Sequence, residues 1–274
     1  MQLFKLAILG IVQGLTEFLP VSSSGHLAIF HRILGVEADL GFDTAVHIGT
    51  GLAVLIFYFP KLWGYLSDIL AGLSAGGGGR KGTGEGLRIA LLLIVTSVPA
   101  ALAGIFLEEG IEAAFASPWA VSAFLCVTGA ILIIAGKSRS GSIAGAKDTT
   151  FSKAFLIGLA QAVALLPGIS RSGMTITSGM LLGLTAPWAV DYSMLASLPV
   201  IFGAFLVQAL KDGGLSGTYG LTGIAVGIAV SLATGLFAIS VLKKLAARRN
   251  LMPFAVWVFV AAAVNIAIYA LWGV

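Results

Sequence analysis

Six stretches of this chain are each long and apolar enough to cross a lipid bilayer: about 42–59, 87–107, 118–136, 189–210, 219–242 and 253–273. A helix rises about 1.5 Å per residue, so a hydrocarbon core about 30 Å thick takes about 20 residues to cross. Lipid offers no hydrogen bonds to backbone groups, so such segments must be helices. The expected fold is therefore all-α: a polytopic membrane protein, with residues 1–274 forming one membrane domain. Charge content agrees. Only 10 % of residues are charged, against about 25 % in a soluble domain, too few to build a water-facing surface.

Four shorter apolar pieces remain, at about 3–19, 24–34, 154–166 and 173–185. The last two reach only about 20 Å as helices. Pieces of that length at membrane depth are expected to be re-entrant, buried in protein or lining a cavity. The first is nearly long enough to span. It does not read as a cleaved signal peptide, because Gln13 and Glu17 interrupt it and no small-residue cleavage site follows. The single cysteine, Cys126, sits in an apolar run and is expected to be a buried, inert thiol.

The short pieces are organised by an internal repeat at an offset of 148 residues, in which Lys5 matches Lys153, Gly10 matches Gly158 and Gln13 matches Gln161. Ser22, Ser24 and Gly25 match Ser170, Ser172 and Gly173, and Asp43 matches Asp191. The repeats cover about 1–136 and 149–274. Each would hold one helical hairpin and three spans. Three is odd, so non-crossing hairpins make the second half enter from the opposite face, an inverted-topology repeat with six spanning helices and two re-entrant hairpins.

Basic residues follow the same alternation. Lys61, Arg80, Lys81 and Arg88 lie in loop 60–88; Lys137, Arg139, Lys147 and Lys153 in loop 137–153; Lys243, Lys244, Arg248 and Arg249 in loop 243–250. Loop 107–118 carries Glu108, Glu109 and Glu112 and no basic residue. The positive-inside rule makes the basic loops cytoplasmic and puts both termini outside. The net charge of +4 is thus a matter of topology, and no nucleic-acid partner is expected. The glycine run 76–79 reads as a flexible loop.

Ionisable residues at membrane depth are costly and point to function. Gln13 and Glu17, spaced i, i+4, share a helix face that Pro20 ends. Val21-Ser22-Ser23-Ser24-Gly25 then leads into a helix that opens with His26. In the second hairpin Pro167 is followed by Gly168-Ile169-Ser170-Arg171-Ser172-Gly173 and then Thr175. Both links lead into a helix N-terminus, which suits an anion. Arg171 adds a fork of donors matched to phosphate, and Ser170, Ser172 and Thr175 add hydroxyls. Under the repeat, Glu17, Ser23 and His26 face Leu165, Arg171 and Met174, so half one would supply acid, base and nucleophile and half two the cation. Asp43 and His47, again i, i+4, are assigned to a helix start or interhelical contacts, and His31 and Arg32 to an interface.

The run from Gln13 to His26 resembles the first signature of the undecaprenyl-diphosphate phosphatase (bacitracin-resistance) family, and Pro167 to Thr175 resembles its second, P-G-x-S-R-S-x-x-T. The resemblance extends over essentially the whole chain. It implies a multi-pass protein of the bacterial cytoplasmic membrane. The activity implied is hydrolysis of undecaprenyl diphosphate to the monophosphate and inorganic phosphate, which recycles the lipid carrier of cell-wall synthesis and confers bacitracin resistance. It implies a divalent cation, Mg²⁺ or Ca²⁺, held by Glu17 with Gln13. Carried over by position, Ser23 is the nucleophile, His26 the acid or base, Glu17 a metal ligand or orienting carboxylate, and Arg171 the phosphate clamp. Ser22, Ser24, Ser170, Ser172 and Thr175 complete the cradle. Ser22, Ser24, His26 and water remain alternatives as nucleophile. The partners expected are a polyprenyl diphosphate lipid and membrane lipids, with a homodimer left open. The alternative function is a transporter or flippase of a polyprenyl phosphate lipid, since inverted repeats with broken helices are typical of transporters. Ser23-Ser24-Gly25-His26 is also similar to a fragment of the type 2 phosphatidic acid phosphatases, but Thr177 stands where that family needs histidine.

Overall fold

The computed structural model describes residues 1–74, 82–136, 141–212, 218–247 and 250–272. The glycine run 76–79 and six of the basic residues used above (Arg80, Lys81, Lys137, Arg139, Arg248, Arg249) lie outside the described residues.

Twelve helices and no strand occur among the described residues: α1 (Gln2–Phe18), α2 (Ser23–Leu34), α3 (Leu40–Phe57), α4 (Phe59–Ser74), α5 (Glu85–Phe106), α6 (Glu108–Ala116), α7 (Pro118–Gly136), α8 (Phe151–Val163), α9 (Arg171–Leu181), α10 (Ala186–Asp212), α11 (Gly220–Ala247) and α12 (Met252–Trp272). Six of them, α3, α5, α7, α10, α11 and α12, are long and apolar enough to cross a membrane. These are the six segments expected, within a few residues at each end. The four shorter apolar pieces are α1, α2, α8 and α9.

Local chemistry explains the boundaries. Ser22, Asp39, Thr150 and Ser170 each accept a backbone N–H through the side chain and so start α2, α3, α8 and α9. Gly35, at φ +55°, ends α2 in a left-handed cap.

Two helices correct the sequence reading, which took 60–88 and 107–118 as loops. Lys61 and Asp68 break the apolar run of α4, so no span-length signal survives, although Trp63, Leu66 and Leu70 form an exposed apolar side. In α6 no residue is buried, and the helix packs chiefly against its chain neighbours α5 and α7. Cys126 is a further correction. It is exposed on α7, because an apolar residue of a spanning helix can face lipid as readily as the protein core.

Packing places α1 against α11 and α3, and α8 against α5. Small residues allow the first contact. A Cβ on Gly14 would collide with Thr234 Oγ1 and come within 2.6 Å of the Ser231 carbonyl oxygen. The backbones of α1 and α11 therefore approach as closely as glycine allows. The largest core cluster includes Phe18, Ile157, Trp188 and Tyr192, and so ties α1 to α8 and α10. Matching hydrogen bonds recur at the 148-residue offset. Lys5 Nζ donates to the Leu34 carbonyl at 2.5 Å, and Lys153 Nζ to the Leu182 carbonyl at 2.6 Å.

Candidate active site

The turn between α1 and α2 meets the turn between α8 and α9. Ser172 Oγ donates to the Leu19 carbonyl at 3.1 Å, and Gly168 N–H approaches Ser24 Oγ at 3.5 Å. Thr128 of α7 fixes the second turn, donating to the Gly168 carbonyl at 2.9 Å and accepting Ser170 N–H at 3.0 Å. Gly168 is needed there: its φ is +100°, and a Cβ would strike the Val121 carbonyl.

This junction brings the first residues of two helices together, Ser23 of α2 and Arg171 of α9. Their positive ends converge on Glu17. The Glu17 carboxylate is shared out completely. Oε1 accepts Arg171 Nη2–H at 2.6 Å. Oε2 accepts the Ser23 hydroxyl at 2.5 Å and Gln13 Nε2–H at 3.0 Å. The Glu17 side chain is 5 % exposed and that of Arg171 13 %, so this is a buried ion pair whose remaining valences are met by hydrogen bonds. Arg171 Nη1 also reaches the Ser193 carbonyl at 3.5 Å.

A cavity of about 980 Å³ opens from this cluster. Glu17, Ser23, Ser24, His47, Ser170 and Arg171 line its polar end. Leu27, Ile111, Phe115, Val200, Ile201 and Ala204 give it an apolar wall, and His31, Arg32, Glu37, Asp43 and Glu112 also line it. That amphipathic lining suits a ligand with an anionic head and a hydrocarbon body.

Not every expected residue faces this cavity. Gln13, Ser22, His26, Ser172 and Thr175 are absent from its lining. Ser22 Oγ caps Gly25 N–H at 3.2 Å, Ser172 bridges to Leu19, and Thr175 Oγ1 lies 2.6 Å from Ser193 Oγ. His26, 4 % exposed, has both ring nitrogens engaged elsewhere: Nδ1 with the Ser22 carbonyl at 2.8 Å, and Nε2 with the indole N–H of Trp257 at 2.8 Å. It makes no hydrogen bond to Glu17, Ser23 or Arg171.

Sequence reasoning passed over His47. Its Nδ1 lies 2.7 Å from the Asp43 carbonyl, and its Nε2 lies 3.7 Å from Glu17 Oε2. The i, i+4 pairing with Asp43 was visible, but a helix-start role explained it equally well. Asp43 itself pairs with His31 at 3.0 Å, and Arg32 donates to Asn265 at 3.2 Å. Trp257 left no signal, being one aromatic residue in an apolar span.

Glu17 and Gln13 are a poor divalent-cation site by themselves. Among the described residues no group of three or more His, Cys, Asp or Glu could hold a metal. Glu17 is already paired with a guanidinium, whereas Mg²⁺ or Ca²⁺ takes six or more oxygen ligands. One free oxygen is nevertheless at hand, because Gln13 Oε1 is buried without a partner.

Ser22 holds the turn in a costly conformation. At φ +69° it is the one non-glycine residue at positive φ among the described residues. Such strain costs about 1–3 kcal/mol and persists where surrounding contacts impose it.

These features define a polytopic membrane protein with a buried ion pair and an adjoining cavity at two converging helix N-termini. The chain belongs to the BacA family: the model described as "Bacitracin resistance protein BacA" matches residues 6–264. Curated relatives are similar along their length. A protein of Rubrobacter xylanophilus is 40 % identical over 281 residues, covering 99 % of this chain and all of that one. One of Trichlorobacter lovleyi is 39 % identical over 272 residues, covering 97 % and 96 %. One of Methanobrevibacter smithii is 38 % identical over 267 residues, covering 95 % of each. All three are named undecaprenyl-diphosphatase.

Proposed function

We propose that this chain is an integral membrane phosphatase that hydrolyses undecaprenyl diphosphate to undecaprenyl phosphate and inorganic phosphate. The observation that carries the proposal is Ser23 Oγ donating at 2.5 Å to a carboxylate whose other oxygen is held by Arg171. A transporter of the same lipid would need the guanidinium but not a hydroxyl poised on a base.

In this reading Ser23 Oγ attacks the terminal phosphorus and passes its proton to Glu17 Oε2. The bond to the bridging oxygen breaks, and its electrons leave with the polyprenyl phosphate. Water then attacks the phosphoserine: Ser23 Oγ leaves and takes its proton back from Glu17, while Glu17 accepts one proton from the attacking water and releases it to bulk water, so that both residues are reset. Arg171 and the backbone N–H groups at the starts of α2 and α9 meet the charge on the equatorial oxygens. Ser24 and Ser170, both lining the cavity, offer further donors. A divalent cation would come with the diphosphate, adding charge neutralisation, with Glu17 and Gln13 Oε1 as protein oxygens beside it.

The inverted repeat draws support from paired contacts. The lysine-to-carbonyl bonds of Lys5 and Lys153 are equivalent under the 148-residue offset, as are the Ser22–Ser24 and Ser170–Ser172 hydroxyl contacts, each 3.2 Å. The packing of α1 on α11 mirrors that of α8 on α5. Glu37 and Glu112 line the cavity on the side of the acidic loop. Under the positive-inside rule the site then faces outward from the cytoplasm of a bacterial cytoplasmic membrane.

The test is phosphate release by purified protein in detergent. Release from undecaprenyl diphosphate and not from the monophosphate is expected. Lipid binding with no release would overturn the reading in favour of transport.

A further inference from the structure

Ser22 supports the residue that does the chemistry, and its strained backbone must be held by something. Its carbonyl accepts two hydrogen bonds from His26, one from the backbone N–H at 3.2 Å and one from ring Nδ1 at 2.8 Å. A carbonyl can only accept, so Nδ1 carries a proton. The indole N–H of Trp257 can only donate, so Nε2, 2.8 Å away, carries a lone pair. The two contacts together fix His26 as the neutral imidazole with its proton on Nδ1. The rings of His26 and Trp257 lie within 9° of parallel, with centroids 6.1 Å apart. Trp257 belongs to α12, 231 residues from His26, and its indole is half exposed on the outside of the bundle.

We infer that Trp257 and His26 are positioning residues that lock the Ser22 turn and so aim Ser23 Oγ at Glu17. This deepens the phosphatase reading and rests on it. The polar chain runs Trp257 N–H to His26 Nε2, His26 Nδ1–H to the Ser22 carbonyl, and then through one peptide unit to Ser23. Without the indole, the imidazole keeps only the Ser22 carbonyl to select its tautomer and loses the donor that holds Nε2. With the proton on Nε2, Nδ1 would present a lone pair to the Ser22 carbonyl, two acceptors would face each other, and the strained turn would relax. His26 then acts through Ser22, in place of the acid–base role expected of it from sequence.

Asparagine places its amide nitrogen near the position of histidine Nδ1, whereas leucine fills the space without a donor. His26→Asn should therefore keep at least roughly a tenth of the wild-type kcat and His26→Leu less than about a hundredth. Trp257→Phe keeps the ring and removes only the N–H; kcat should fall about tenfold with KM within about twofold, because aim is lost and not binding. Rates are taken per folded protein from size-exclusion chromatography. The inference is overturned if Trp257→Phe turns over like wild type, or if His26→Asn is as inactive as His26→Leu. A second arm does not depend on activity. Nitrogen NMR of the full chain in detergent, with ¹⁵N-labelled histidine, should show His26 protonated on Nδ1 at neutral pH, with an Nε2 resonance that moves in Trp257→Phe. An Nε2-protonated ring or an imidazolium would refute the assignment. A wild-type protein that released no phosphate would remove the phosphatase reading and leave this arm to decide the hydrogen bonds.

Discussion

Glu17 and Arg171, 154 residues apart, form a 2.6 Å charge-assisted hydrogen bond at the point where the starts of two helices meet. Each half of the chain supplies one charge. Neither could lie buried alone, so the pair ties the two halves together.

Removing one partner should cost both folding and activity. Arg171→Ala and Glu17→Ala each leave an uncompensated buried charge, worth about 3–5 kcal/mol. Phosphate release should fall at least about 100-fold in either variant. A double variant, Glu17→Gln with Arg171→Met, should melt above the single Arg171→Ala variant yet stay inactive. Thermal unfolding in detergent beside phosphate release checks this, and a double variant less stable than the single would contradict it.

The serines should separate by role. If Ser23 is the nucleophile, as proposed, Ser23→Ala should lower kcat at least about 100-fold with little change in lipid binding. Ser172→Ala should act chiefly on stability, by about 1 kcal/mol, since its hydroxyl bridges to Leu19 outside the cavity. Comparable kcat losses in the two would show that the cavity lining does not report chemistry.

Chelation tests the cation. Excess EDTA should suppress turnover, and added Mg²⁺ or Ca²⁺ should restore it. Gln13→Glu adds a second carboxylate beside Glu17, so half-maximal activation should need at least about threefold less cation, as ligand charge strengthens binding. Activation curves for the two proteins decide the matter; full activity in EDTA would take the cation out of the mechanism.

Close helix packing gives a prediction away from the site. Gly14→Ala drives a methyl group into Thr234 Oγ1, and overpacking of this kind costs about 1–3 kcal/mol. Thr234→Ala should recover part of the loss, because the Ser231 carbonyl would still crowd the new Cβ. Thermal unfolding of the single and double variants measures the recovery.

Much of this could be read from the amino acids alone. Span length, the scarcity of charge and the punctuation by Pro20 and Pro167 are local properties, and they set out six long helices and four short ones without reference to neighbours. The ionisable residues placed against their surroundings, Glu17 and Arg171, were visible for the same reason: burying a charge in lipid is costly wherever it occurs. Which side chains share a cavity is not a local property. His47 reaches the cavity and His26 lies outside its lining because α3 and α12 pack where they do. The second event depends on an indole that looks, in sequence, like one more apolar residue of a span. Hydrophobic periodicity says which residues leave water; only the assembled helices decide which of them a given donor can reach.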